Sequence, residues 1–411
     1  MSDDQILFRP LRANEKLRSV MGQYYTELDE ASSTKSRKIA WCTSQGPVEL
    51  LRAMGFLVYF PENHGALLGA TRRAMDFIGL ANAEGYSPDV CSYLTSDIGA
   101  FLAAKTPLKE AYGVSSLPVP DVLVYNNNQC RDVQEWFEFY SSRYSVPIFG
   151  IRTPRGVGEA GNDIVDSVAG QMEQLADDLA RIAGGPLDYN TFCRTIERSK
   201  QTSILWKSVL ETASHRPSPI TFIDACFHIG PAVNLRGTDL AVSYYQELLE
   251  ELEDRISRGT GGIFRERFRI YWEGMPIWGR LRFLADTMAK MQVSLVASTY
   301  GHSWVFDAFD PNDPFYSTAK AYTELFTVRN ERSKESFLLE MLKRFQVDGI
   351  IFHNSKTCPN CTNSLYGMPK RLSDRAGIPY LVVDGDLNDL RCFSQEQTLT
   401  NLEAFVEMLA Q

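Results

Sequence analysis

Short apolar runs alternate with longer amphipathic stretches along most of this chain. In the first half "RKIAWCTS", "FLVYFP", "DVLVYNN" and "VPIFGI" read as strands, each bounded by turn-forming residues. Between them "PVELLRAMG" reads as a helix, with Pro47 in its first turn and Gly55 at its end. "VQEWFEFYSSRY" reads as another, because Val133, Trp136, Phe137 and Tyr140 fall at i, i+3, i+4 and i+7. A further helix over 15–28 precedes the first strand. Strand–helix–strand alternation implies a parallel sheet covered by helices.

The middle of the chain changes period. "DIVDSVAGQMEQLADDLARIAGG" carries Val165, Val168, Met172, Leu175, Leu179 and Ile182 at spacings of three and four, with Gly184 and Gly185 as a stop. Two more helices are expected over 189–214 and 239–258. Alternation then returns: strand "RIYWEG", helix "GRLRFLADTMAKM", strand "VSLVAS", strand "VDGIIFHN", a helix over 364–375, strand "IPYLVVDGD" and the helix "QTLTNLEAFVEML".

The halves repeat. "PDVLVYNNNQC", a helix and "VPIFGI" match "VDGIIFHNSKTC", a helix and "IPYLVVDGD". The expected fold class is α/β: two doubly wound, flavodoxin-like parallel-sheet domains joined by helices. The boundaries are an N-terminal helical segment 1–35, a first α/β domain 36–160, a helical linking region 161–265 and a second α/β domain 266–411. In such folds ligands bind beyond the carboxyl ends of the strands. Cys130 and Cys358 hold equivalent positions there, just before a helix in each half.

The 411 residues, 44% hydrophobic and 23% charged, suit a soluble globular protein. No apolar run approaches the ~20 residues needed to span a bilayer, and "MSDDQILFRPLRANEK" lacks a signal-peptide core. A cytoplasmic location is expected, with no membrane partner. A net charge of −9 and a pI near 5.3 argue against nucleic acid as a main partner.

Eight cysteines are dispersed along the chain, and a disulfide framework is not expected in a cytoplasmic protein of this size. Cys91, in "GYSPDVCSYLTSDIGAFLA", stands near a helix start that Ser87 or Asp89 can cap, where the helix end favours thiolate. Thiolates from the three loops of Cys91, Cys130 and Cys358 suit an iron–sulfur cluster with one iron left open. Each alone equally suits a buried hydrophobe. "CPNC", Cys358 to Cys361, in isolation matches zinc or a redox pair, but no second CxxC or His pair lies nearby. No P-loop, HExxH or nucleophile elbow is present, so the chain is not expected to hydrolyse ATP. His64, in "FPENHGALLGA", follows a strand end together with Glu62 and Asn63; it is the candidate for proton transfer, with packing an equal alternative. His302 and His353 also follow strand ends.

"GPVELLRAMGFLVYFPEN", "YSPDVCSYLTSDIGA", "NNNQCRDVQEWFE", "HNSKTCPNCTNSLYGMPKRL" and "YLVVDGDLNDLRCFSQEQTLTNLEAFVEML" together resemble the catalytic subunits of the 2-hydroxyacyl-CoA dehydratase and benzoyl-CoA reductase family. The resemblance runs from about residue 37 to the end and is weakest over 156–265. It implies two flavodoxin-like domains and an oxygen-sensitive iron–sulfur cluster, commonly 4Fe–4S, on Cys91, Cys130 and Cys358. It also implies a homologous second subunit, an ATP-hydrolysing iron–sulfur activator that delivers single electrons, and an acyl-CoA substrate. Dehydratases of this kind release hydroxide from a ketyl radical and recycle the electron; reductases consume electrons on an aromatic ring. The benzoyl-CoA-type reductase is placed first here, the dehydratase second, and an electron-relay subunit third. One departure from the family pattern is Cys361, three residues after Cys358. With Cys42 and Cys392 it leaves open additional ligation, as in an 8Fe–9S double cubane.

Overall fold

The computed structural model describes residues 7–411; the first residues of the expected segment 1–35 lie outside that range. The apolar runs of the first half form β1 (Ile39–Cys42), β2 (Leu57–Tyr59), β3 (Val122–Asn126) and β4 (Ile148–Ile151). Those of the second half form β5 (Phe268–Glu273), β6 (Val293–Ser298), β7 (Gly349–Ser355) and β8 (Tyr380–Gly385). Each set makes an all-parallel sheet, in the order β2-β1-β3-β4 and β6-β5-β7-β8. The two orders are the same when counted from β1 and from β5, so the sequence repeat is also a repeat of topology. Trp41 and Trp272 occupy matching places, each next to the last residue of the first strand of its sheet and each fully buried. Both sheets are flanked by helices, and the chain has an α/β fold.

Burial explains why these strands read as unbroken apolar runs. β1, β2, β5 and β6 are buried along their whole length, as expected for parallel strands covered on both faces. The edge strands β4 and β8 are partly exposed and tolerate Gly150 and Asp384.

The helix Asn162–Ala183 buries Val165, Val168, Met172, Leu175 and Leu179, the face its spacing predicts, and stops at Gly184 with φ 87°. Tyr189–Glu211 ends before residue 214 by tightening into the 3-10 turn Thr212–Ser214. The helix expected from residue 364 starts later, at Met368, because Gly367 (φ 77°) turns the chain just before it. The helices Pro61–Ala70, Ala74–Ala83, Pro314–Thr323 and Glu331–Arg344 carry no strong prediction from the sequence.

A buried ionic group ties the elements together. The Arg236 guanidinium lies 3.0 Å from Glu49, which also accepts hydrogen bonds from Ser199 (2.8 Å) and Tyr322 (2.6 Å). Arg236 also donates to the Gly46 carbonyl (3.2 Å). Residues from the turn after β1, the helical region and the stretch between β6 and β7 are thus fixed to one point.

Candidate functional site

In both sheets the strand order reverses between the first and third strands, β1/β3 and β5/β7, which marks the place where such sheets bind ligands. The loops leaving all four of these strands line one cavity of about 120 Å³. Ser44 and Gln45 follow β1, Gln129 and Cys130 follow β3, Gly274 and Met275 follow β5, and Cys358 and Cys361 follow β7. Cys91 completes the set of thiols in the wall.

Three contacts explain why distant cysteines meet. Cys91 is the N-cap of the helix Ser92–Leu102, and its N–H donates to Asp132 (3.2 Å), two residues after Cys130. The next N–H of that helix, Ser92, donates to the Thr357 hydroxyl (3.0 Å), one residue before Cys358. Thr357 is held in turn by Asp386, which accepts from both its N–H (2.8 Å) and its hydroxyl (2.7 Å). On the other side the Asn-rich turn is closed internally: Asn126 accepts from the Asn128 N–H (3.0 Å), and Asn128 donates to the Gln45 carbonyl (2.9 Å).

The four thiols are half-buried and electrostatically in reach of one another. Burial pushes Cys91 well up, with the Cys130 thiol adding to the shift. Burial and Asp132 push Cys130 to about 12. Cys358 is raised by its hydrogen bond to Cys361 and then by burial. Cys361 goes down: it receives that hydrogen bond, and Lys334 and Arg155 stand near it. The thiolate expected at Cys91 from its helix end is therefore not favoured, because desolvation outweighs the helix N–H groups.

Among the described residues no three His, Cys, Asp or Glu side chains gather at the spacing of one metal ion. A closed four-ligand zinc site would need a second CxxC or a His pair beside "CPNC", and the sequence offers neither nearby. Soft thiols spread around a cavity instead fit a multi-iron cluster, whose ligands bind separate irons.

Glu62 lines the same cavity. Its Oε2 accepts from the Ser44 N–H (2.5 Å) and the Ser44 hydroxyl (2.6 Å), and burial pushes its carboxyl up to about 7. Tyr93, Trp136, Tyr300, Trp304 and Phe326 supply an aromatic wall.

The family model "2-hydroxyglutaryl-CoA dehydratase, D-component" matches residues 43–409. The chain belongs to this family. It is 27% identical to the lactoyl-CoA dehydratase subunit alpha of Anaerotignum propionicum, over 98% of each chain. It is 29% identical to the (R)-2-hydroxyisocaproyl-CoA dehydratase alpha subunit of Clostridioides difficile, over 96% of this chain and 95% of that one. It is 28% identical to a benzoyl-CoA reductase subunit of Thauera aromatica, over 88% of this chain and 86% of that one. As a member of this dehydratase and reductase family, the chain is an enzyme subunit.

Within this family member, other residues singled out by sequence lie elsewhere. His64 is buried outside the cavity wall, with Nδ1 against Asp97 (2.5 Å) and Nε2 against Thr106 (2.9 Å). Asp97 also accepts from Trp136 (2.9 Å) and Tyr140 (2.5 Å), so His64 supports the wall rather than facing its contents. His353 donates to the Met275 carbonyl (2.6 Å), and burial lowers it to about 4. His302 lines a second cavity. Cys42 is fully buried beneath Gly46, and neither it nor Cys392 is in the wall. No helix among the described residues is long and apolar enough to cross a membrane.

Glu273, at the end of β5, carries no expectation from the sequence. It is buried, accepts from Thr299 and from Asn363 (2.5 Å), and burial lifts it to about 7. A carboxylate at the carboxyl end of a fully buried strand is the signal that could have marked it.

Proposed function

We propose that this chain is a subunit of a 2-hydroxyacyl-CoA dehydratase in which Cys91, Cys130 and Cys358 hold a 4Fe–4S cluster. The observation that carries the proposal is the meeting of those three thiols and one protonated-range carboxyl, Glu62, in a single cavity between the two sheets. When bound, the cluster supplies single low-potential electrons to the substrate. The chain's own groups do the rest. Glu62, near half-protonated at neutral pH, delivers its proton to the departing hydroxyl, and its buried setting keeps that proton available. Ser44 orients the carboxyl from both its N–H and its hydroxyl. The aromatic wall keeps water from the reacting atoms.

Cys42 standing outside the wall supports the smaller cluster over a double cubane, and Cys361 is assigned no iron. A homologous partner subunit and an ATP-hydrolysing iron–sulfur activator complete the system. The names of the relatives, alpha subunits of dehydratases among them, support this arrangement. The benzoyl-CoA-type reductase is the second reading, favoured by the aromatic wall and the Thauera relative. Anaerobic turnover with the co-purified partner and activator separates the two. Loss of water from a 2-hydroxyacyl-CoA with no net electron consumption is the expected result; net reduction of an aromatic ring would establish the second reading instead.

A further inference from the structure

Asp97 is fully buried and stands outside the wall of the thiol cavity, yet three elements that build that wall meet on its carboxylate. It sits in the helix Ser92–Leu102, whose N-cap is Cys91. Its Oδ2 accepts from the Trp136 indole N–H (2.9 Å) and the Tyr140 hydroxyl (2.5 Å). Both donors lie on one face of the helix Asp132–Tyr144, which follows Cys130. Its Oδ1 stands 2.5 Å from His64 Nδ1, in the helix Pro61–Ala70 that carries Glu62 into the cavity wall. The Thr106 hydroxyl lies 2.9 Å from His64 Nε2, so the imidazole is held at both nitrogens.

A buried carboxylate is tolerated where donors satisfy it, and here the donors come from two other helices. Hydrogen bonds are directional, so they fix how each helix is turned against its neighbours, which apolar contacts alone do not. The helices after Cys91 and Cys130 are tied twice. The Cys91 N–H donates to Asp132 (3.2 Å) at their starts, and Asp97 takes Trp136 and Tyr140 further along. A pair of helices joined at two heights cannot pivot about either joint. Trp136 has a single donor, and Asp97 holds it, so this wall residue offers only carbon to the cavity.

Resting on the cluster reading above, we propose that Asp97 is the positioning residue of the thiol cavity: through Trp136 and Tyr140 it sets the spacing of Cys91 and Cys130, and through His64 the placement of Glu62. It touches neither substrate nor cluster. His64, which the sequence marks for proton transfer, is the strut between Asp97 and the helix of Glu62. Cys358 reaches the same helix by a separate tie, the Ser92 N–H on Thr357 (3.0 Å).

The test is the rate at which an iron chelator removes iron from the anaerobically purified complex. Asp97→Leu keeps the bulk of the side chain but accepts nothing, and should release iron about tenfold faster, the worth of one net hydrogen bond. Asp97→Asn still accepts from Trp136 and Tyr140 and can donate to the other imidazole tautomer, so it should recover most of the difference. Tyr140→Phe removes one donor only and covers the case in which Asp97→Leu does not fold; it should release iron about threefold faster. Leu248→Ala empties a fully buried position in the helix Asp239–Ser257, away from the wall, and should release iron at the wild-type rate. With partner and activator, kcat for lactoyl-CoA should fall about tenfold in Asp97→Leu while KM stays nearly constant, because no group that holds the thioester is removed. Iron release decides the matter where lactoyl-CoA is not turned over. Wild-type iron release in whichever of Asp97→Leu and Tyr140→Phe fold, or an equal rise in Leu248→Ala, would overturn the positioning role while the cluster reading stands. A wild-type complex without iron would overturn the cluster reading, and this inference with it.

Discussion

Replacing Glu62 with Gln removes an ionisable group while keeping its shape and its ability to accept from the Ser44 N–H. Burial raises the Glu62 carboxyl from 4.5 to about 7. Between those values the unfolded chain has released the proton while the folded chain still holds it. The folded state therefore binds more protons, and stability falls as pH rises across the window, levelling off above about 7. A shift of about 2.5 units corresponds to about 3 kcal/mol lost across that range. Glu62 is nearly inaccessible, 8% exposed, so solvent screening takes little from the figure. Urea unfolding of wild type and Glu62→Gln, run in parallel between about pH 5 and about pH 8, isolates the effect. Glu273 and Asp224, also raised by burial, contribute equally to both proteins and cancel in the difference. The variant should lose about 3 kcal/mol less than the wild type over this interval. Parallel curves would refute the argument, because they would mean that the carboxyl titrates in its ordinary range.

The same substitution should cut turnover by about a hundredfold or more, as loss of a positioned acid does; wild-type activity should fall as pH rises through about 7, and the variant should show no such fall. Arg236→Met should destabilise by about 3–5 kcal/mol in thermal unfolding, because it leaves Glu49 buried and unpaired, and adding Glu49→Leu should restore much of the loss. Cys361→Ser should leave iron content and spectrum close to wild type, whereas an iron count near eight per chain, falling in this variant, would establish the larger cluster. Phe137→Ala, which empties a fully buried position on the face read from the sequence, should cost about 3–5 kcal/mol in urea unfolding.

The strands and the repeat were legible because parallel strands buried on both faces leave continuous apolar runs, and because a cysteine follows the third strand of each sheet, Cys130 after β3 and Cys358 after β7. The meeting of Cys91, Cys130 and Cys358 in one wall followed from strand-end logic together with the family resemblance. Protonation states did not. A helix end favours thiolate at Cys91, but the cavity that closes over it is made by Asp132, Thr357 and residues far along the chain, and its desolvation wins. His64 shows the same limit on a smaller scale. The helix Pro61–Ala70 turns about 100° per residue, so Glu62, Asn63 and Ala66 share the cavity face while His64 points away to Asp97. A strand end identifies a place; the helix phase decides which neighbour faces it. Glu273 escaped notice because its partners come from distant places, Thr299 from the helix start after β6 and Asn363 from the loop after β7.

The central claim is that Cys91, Cys130 and Cys358 hold an iron–sulfur cluster in the cavity between the two sheets. It is tested most directly by iron and acid-labile sulfide in the anaerobically purified wild type and Cys358→Ala, with Cys193→Ala as control. Cys193 sits in the helix Tyr189–Glu211, away from the cavity wall. Near-equal iron and sulfide are expected in the wild type, with most of both lost in Cys358→Ala and no change in Cys193→Ala. Full retention of iron and sulfide in Cys358→Ala would contradict the claim.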